Sequence, residues 1–445
     1  MCSLGAKYCL EQQTAIALWD AGRLIVRAAT EEKNEDLDVA NSGYIEICQA
    51  MLLLMAFQTW SGNPFGLRQA LSSQSALASL VRQDRLNSRP LSKEMTWAEW
   101  IDREVRKRTK LGVYCFLNLQ CLTFNVPPLI LNSEIALDLP SDEDAWQAES
   151  EDLWQRCGRG QAPEMPSFQI ALRSFLLGPD CNPPDRQSAV ALSQDTSPCS
   201  IFGMYALLHG IIQHQYQLRQ YSDLTPGPDG TVPPDQIVQI ERGLRYWQQA
   251  WERNMEASLD PQNAHGPLAF NCIALVRIAY IRLDIDLGSA CAALQSGDPH
   301  IIARAMKDQK TVARGPRLTK AALHACHALL VLAKEGIDLV THTQVFVWSI
   351  QHSIASFQCC VVLVKWLETV IVDTSDPLLS DEESWLIKLV QNTLGECNVG
   401  EVENVKTLNV MVLRTWAKVF AETTIWEIMP VIGAAFEIYA DMLSR

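Results

Sequence analysis

The residues best suited to chemistry lie in the segment ALHACHALL, which contains His324, Cys326 and His327. The two histidines are one helical turn apart and could bind a metal ion or another ligand together. Structural zinc usually takes four protein ligands, and no second pair at metal spacing lies nearby in the sequence. We therefore interpret these side chains as core residues and predict no metal site.

An aspartate pair, Asp284 and Asp286 in RLDIDLG, is the nearest approach to a magnesium-binding cluster. Residues two apart point to different faces of a helix, and Asp286 is four residues from Arg282, within ion-pair reach. The phosphate-binding loop, the dinucleotide fingerprint, the nucleophile elbow and the H-E-x-x-H zinc motif do not occur. We predict no cofactor, no catalytic residue and no enzymatic activity.

A basic run, REVRKRTK, places Arg103, Arg106, Lys107 and Lys110 on one helical face. Such a patch is typical of nuclear-import signals and of phosphate-binding sites. The alternative is a solvated helix whose charges neutralise one another. Three i,i+4 pairs in the favourable order support that alternative: Glu99–Arg103, Asp102–Arg106 and Glu104–Arg108.

The stretch from Leu339 to Glu368 has no charged residue before Lys365, which predicts that it is buried. Its polar residues Gln344, Gln351, Gln358 and Lys365 recur every seven positions. They therefore form one slowly turning seam on a long helix. We expect these side chains to meet polar partners on neighbouring helices, and we name Gln351 and His352 as a candidate ligand or polar-contact site.

The composition limits the class of protein. The chain has 445 residues, which is longer than chains that fold around a single hydrophobic core usually are, so two lobes are expected. Its net charge of −14 argues against a direct, non-specific grip on nucleic acid, which depends on Lys and Arg. The 14 cysteines form no C-x-x-C pair, as in intracellular proteins with reduced thiols, and no secretory signal is visible.

Helical periodicity dominates the whole chain, and we predict an all-α fold, an irregular multi-helical bundle or α-α superhelical array in two lobes. The predicted lobes are residues 1–157 and 201–445, joined by a linker or insertion rich in Pro, Gly and Ser at 158–200. Helix starts are predicted by Asn63–Pro64 and by three capping boxes, which begin at Thr96, Ser141 and Ser380.

Several segments together resemble the middle homology region of fungus-specific transcription factors. The N-terminal ones are WAEWIDREVRKRT and FNVPPLILNSEIALDLPSDEDAWQAESEDLW, although RKRT replaces the usual arginine pair. The C-terminal ones are GMYALLHGIIQ, LRYWQQAWE, GPLAFNCIALVRIAYIRLDIDLG and TQVFVWSIQHSIASFQCCVVLVKWLE. The resemblance extends from about Tyr44 to Asp373, and is greatest to factors that carry two-Cys two-His zinc fingers.

The resemblance implies a nuclear regulator of transcription that responds to a small-molecule effector or a protein partner. The 445 residues contain no finger, since Cys2 and Cys9 lack the paired spacing. We expect contact with DNA only indirectly or through a finger region before Met1. We also expect association with other transcription factors or with a second copy. Many relatives lie beside secondary-metabolite genes of filamentous fungi, which suggests the genes controlled.

Two other functions remain open from the residues alone. An α-helical enzyme acting on an apolar secondary metabolite would use the uncharged helix near His324, His327 and His352. A membrane-associated scaffold would use the stretch from Leu339 to Val364. Spans usually need about 20 predominantly apolar residues, and this stretch carries Gln, His, Ser and Thr throughout, so we predict no membrane association.

Overall fold

A computed structural model describes residues 1–35, 43–87, 95–157, 165–178, 199–224, 232–260, 262–310, 313–336, 349–372, 379–397, 407–421 and 425–444. These residues form eighteen α-helices and two short 3-10 helices. Within the same ranges there is no β-strand, only two isolated bridges. The all-α, multi-helical prediction is confirmed.

The N-terminal helices are α1 (Cys2–Tyr8), α2 (Gln12–Glu35), α3 (Tyr44–Thr59), α4 (Pro64–Gln83), α5 (Trp97–Phe124), α6 (Glu143–Trp146), α7 (Glu151–Arg156) and α8 (Phe168–Leu177). The later helices are α9 (Ile201–Leu224), α10 (Pro234–Glu252), α11 (Leu268–Ile281), α12 (Gly288–Ala293), α13 (Pro299–Lys307), α14 (Pro316–Glu335), α15 (Ile350–Val372), α16 (Asp381–Glu396), α17 (Leu408–Ala421) and α18 (Ile428–Ser444).

Local capping chemistry explains several helix starts. The boxes at Thr96 and Ser380 are formed, with the hydroxyl accepting from the N3 backbone and the N3 glutamate accepting in return. Asn63 caps α4 through the backbone N–H of the second helical residue, as predicted. The cap predicted at Ser141 is wrong by one residue, because Asp142 accepts the N–H of Ala145 instead.

One connected hydrophobic core includes side chains from α3 to α18. Helix α15 lies at its centre and packs against α11, α14 and α17, and four successive residues from Val361 to Val364 have no exposed surface. Helices on both sides of the predicted linker share this core, since α9 packs on α5. The division at 158–200 stays a prediction, and α8 within it packs on α9 and α10.

Helix α15 begins at Ile350 in the described residues. The first part of the expected long helix, including Gln344, lies at 337–348, outside them. By length and composition, residues 350–371 form the single candidate membrane span among the described helices. Most of that window is buried inside the protein, as in a core helix.

Candidate functional site

The polar seam of α15 is buried and is bonded to other helices. The Arg282 guanidinium donates from Nε to Gln358 Oε1 at 2.8 Å. Lys365 Nζ donates to the carbonyl of Lys307 at 2.7 Å and lies 3.0 Å from Glu368. The expectation that this seam meets polar partners is therefore confirmed at Gln358 and Lys365.

Gln351 lies nearer the start of α15 and is buried against protein groups. Its Nε2 donates to the hydroxyl of Tyr205 on α9. The Ser349 hydroxyl lies 2.7 Å from Gln351 Oε1 and 2.7 Å from Asn271 Oδ1 on α11. This cluster joins three helices, α9, α11 and α15, through uncharged side chains.

His352 is also buried, and its ring stacks on Phe270 of α11 with centroids 4.2 Å apart. Burial lowers its pKa to about 3, with a further lowering from Arg277. The imidazole is therefore neutral near pH 7. A ligand site beside Gln351 and His352 stays a prediction, and the two side chains face different neighbours.

The histidines of α14 form no metal centre in the described part of the chain, where no cluster of metal-binding side chains occurs. His324 stacks on Tyr280 of α11 at 4.6 Å, and burial lowers its pKa to about 4. Cys326 is fully buried, and burial raises the pKa of its thiol to about 12. Both features are those of core residues.

Arg282 is a central contact that the sequence did not indicate. Besides Gln358, its guanidinium donates to the carbonyl of Leu122 at 2.7 Å and lies 3.2 Å from Cys291 Sγ. It lines a cavity of about 160 Å³ with Arg219 and Gln215, among others. The predicted contact with Asp286 is not formed, because α11 ends at Ile281 and the helical i,i+4 geometry ends with it.

The four cations predicted to share one face of the basic run all have acidic or carbonyl partners within the protein. Arg103 lies 2.9 Å from Asp138, and Arg106 lies 3.0 Å from Asp84. Lys110 lies 2.9 Å from Asp84 and also donates to two backbone carbonyls.

Lys107 lies 2.8 Å from Glu104, a residue with only 1% of its surface exposed. Lys107 and Lys110 are themselves buried. A phosphate or an import receptor would have to compete with these internal partners. The import or phosphate-binding function of the run stays a prediction.

A second, larger concavity lies among α2, α3 and α4, with a volume of about 450 Å³. Its walls are mostly apolar and include Trp19, Met51 and Leu54, with Arg23 and Arg27 at the rim. Sequence patterns did not indicate this groove, since its walls come from three helices. The arrangement suits an apolar ligand or a partner helix.

Comparison with known proteins finds two family models that match this chain. The fungal specific transcription factor domain matches residues 7–249, and the fungal transcription factor C-terminal domain matches residues 286–438. Zinc finger protein zas1 of Schizosaccharomyces pombe is 26% identical over 189 residues, which cover 39% of this chain and 19% of that protein. No solved structure matches.

Proposed function

Since the chain belongs to the fungal specific transcription factor domain family, we propose that it regulates transcription in a filamentous fungus. It acts as a ligand- or partner-responsive regulatory domain and catalyses no reaction. The observation that carries this proposal is the pair of family matches, which together extend from residue 7 to residue 438. The buried thiol of Cys326 and the lowered pKa values of the buried His324 and His352 agree with it.

The polar contacts of α15 provide a physical route for a response. Gln358 joins α15 to Arg282, and Arg282 in turn holds the carbonyl of Leu122 at the end of α5. These contacts link the region of the first family match to that of the second. Buried polar groups are costly when unpaired, so a ligand or partner that shifts α15 would change several helices together.

The location and the partners follow from the same proposal. The protein acts in the nucleus and reaches DNA through other transcription factors, or through a finger region outside these 445 residues. Its net charge of −14 makes direct, non-specific DNA contact by this domain unfavourable. A second copy is a further partner, and secondary-metabolite genes are the proposed targets.

A tethering experiment tests this proposal. Residues 1–445 are fused to a heterologous DNA-binding domain in a host with a matching reporter. Reporter output is measured with and without a metabolite extract of the organism from which the chain comes. We expect reporter output to change and a fluorescent fusion to concentrate in nuclei. Unchanged output in every condition, together with exclusion from nuclei, would refute the proposal.

A core substitution then tests the route. Gln358→Leu leaves the half-buried Arg282 Nε–H without its acceptor, a loss of about 1–3 kcal/mol, and should alter the response. The control is Gln248→Leu on α10, where the glutamine is exposed and hydrogen-bonds to Glu252 one turn away. Equal responses from the two variants would count against the Gln358 contact as the route.

A further inference from the structure

Helix α2 is buried along its inner face, which packs on α1 and α3. Ala15 and Trp19 are buried there, and the Trp19 indole donates to the carbonyl of Leu54 on α3 at 3.0 Å. Val26, seven residues after Trp19, packs against the main core. Residues three, four and seven apart share one side of a helix, so the opposite side of α2 points away from the rest of the protein.

That outer face of α2 carries large apolar side chains in solvent. Leu18 is 40% exposed, Leu24 is 58% exposed and Ile25 is 69% exposed. Three exposed alanines lie between them on the same face: Ala17, Ala21 and Ala28. A single exposed leucine is ordinary, but several on one face form a contiguous apolar patch, which marks an interaction surface in soluble proteins.

The outer face has the spacing of a coiled-coil seam. Ala17, Ala21, Leu24 and Ala28 follow one another by four, three and four residues, as positions d, a, d and a of successive heptads do. When two such helices run antiparallel, each a residue packs beside a d residue of the other helix. Leu24 of one copy then lies opposite Ala21 of the other, and Ala17 lies opposite Ala28. Large side chains therefore meet small ones, and the two helices fit closely.

The charges beside this seam are complementary to themselves under a two-fold axis. Asp20 and Arg27 precede the two a positions by one residue, so they occupy successive g positions. In an antiparallel pair, Asp20 of each copy lies beside Arg27 of the other, which gives two opposite-charge contacts. These side chains are 52% and 71% exposed, and their ion pairs within α2 are exposed and contribute little. A parallel pair would instead place Arg27 beside Glu32 and Asp20 beside the apolar Ile25.

We propose that the outer face of α2 is a self-association surface, on which two copies of this chain pair antiparallel about a two-fold axis midway between Ala21 and Leu24. On the other edge of the seam, Leu18 of each copy faces Ile25 of the other, so the contact buries the exposed patch. A second copy is the occupant because the same helix supplies both members of every charge pair and every apolar pair. The inference deepens the proposed function, which names a second copy as a partner, and rests on it only for the regulatory consequence.

Sedimentation velocity of the whole chain over a range of concentrations tests the surface. We expect a concentration-dependent dimer, and Ile25→Glu should raise its dissociation constant at least about tenfold, because it buries a charge in the apolar edge. Leu259→Glu is the matched control, since Leu259 is also 69% exposed but lies outside α2. A chain that stays monomeric at every concentration would overturn the proposal and leave the patch to a different partner. Equal dimerisation of the two variants would also overturn it.

A charge exchange tests the antiparallel arrangement. Asp20→Arg alone and Arg27→Asp alone should each weaken the dimer, because each places like charges side by side at two symmetric positions. The double variant restores opposite charges and should recover much of the lost affinity. In a parallel pair the aspartate at position 27 would lie beside Glu32, so a double variant without recovery would overturn the antiparallel arrangement. Thermal unfolding verifies that each variant is folded.

The tethered reporter separates this inference from the proposed function. Loss of the dimer in Ile25→Glu with unchanged reporter output keeps the surface and removes its regulatory role. A dimer formed by a chain that gives no reporter response keeps the surface, while the proposed function fails. A reporter response from a chain that is monomeric has the opposite meaning.

Discussion

The buried carboxylate of Glu104 offers the sharpest test of how this fold uses its charges. Glu104 has 1% of its surface exposed, and it contacts Lys107 at 2.8 Å and Arg108 at 3.1 Å. It also accepts the backbone N–H of Ser141 at 2.9 Å. One carboxylate therefore holds two cations and the chain that follows α5.

Replacing Glu104 by alanine should cost about 3 kcal/mol of unfolding free energy, because it leaves the buried Lys107 without its carboxylate. Arg108 loses less, since Glu143 lies 3.0 Å away on its other side. The matched control is Asp102→Ala on the same helix. Asp102 pairs with Arg106 at the i,i+4 spacing that Glu104 and Arg108 also have, but 58% of the Asp102 side chain is exposed. We therefore expect a cost below about 1 kcal/mol of unfolding free energy.

Urea unfolding followed by circular dichroism measures both variants, and hydrogen exchange shows whether residues 138–146 open first. Burial raises the pKa of Glu104, but Lys107, Arg108 and the Ser141 N–H outweigh it, so the net pKa is lowered. The stabilisation is therefore present above the ordinary pKa of 4.5 and disappears as pH falls through the lower folded value. Equal losses for Glu104→Ala and Asp102→Ala would refute this reasoning.

The remaining predictions concern a glycine, a buried histidine and one buried hydrogen bond. Gly62→Ala should destabilise the protein by about 1–3 kcal/mol in thermal unfolding, because φ is +64° and a Cβ would lie 2.7 Å from a backbone oxygen. The control is Gly112→Ala in helix α5, where a Cβ meets open space. In the same thermal assay it should stabilise the protein by about 0.5–1 kcal/mol. His209 is fully buried, and burial lowers its pKa to about 3. Because the unfolded chain binds a proton at His209 below pH 6.5 and the folded protein does not, its contribution to stability falls by about 1.4 kcal/mol per pH unit from pH 6.5 down to about 3. His209→Phe should remove this contribution to the pH dependence of urea unfolding, and an unchanged dependence would contradict the prediction. Tyr205→Phe and Gln351→Leu should show a coupling of about 1 kcal/mol in a double-mutant cycle, whereas additive losses would mean that their hydrogen bond contributes nothing.

Features set by neighbouring residues were predictable from the sequence. The caps at Asn63, Thr96 and Ser380 depend on contacts within three residues, and all three formed. The wrong prediction at Ser141 is an error of one residue. Ser141 and Asp142 are both suitable N-cap residues, and local sequence does not distinguish between them. Here both the N–H and the hydroxyl of Ser141 lie against Glu104, at 2.9 and 3.5 Å, and Asp142 is the cap.

The basic run shows where local spacing stops being enough. The i,i+4 rule correctly indicated Asp102–Arg106 and Glu104–Arg108. It could not indicate that Arg103 turns to Asp138, 35 residues away, because that contact depends on how the chain after α5 returns across it. Burial of Lys107 has the same cause. A charged run looks solvated in sequence until another segment covers it.

The polar seam of α15 shows both a feature that the sequence predicts and a contact that it does not. A heptad period identified Gln358 as an inward-facing amide, since the period is a property of α15 alone. Its partner Arg282 lies 76 residues earlier and just past the end of α11, so no periodicity identifies it. Leucine at position 358 would pack in the same core but would leave the Arg282 Nε–H unpaired. The amide therefore favours the register in which residue 358 of α15 lies opposite the end of α11.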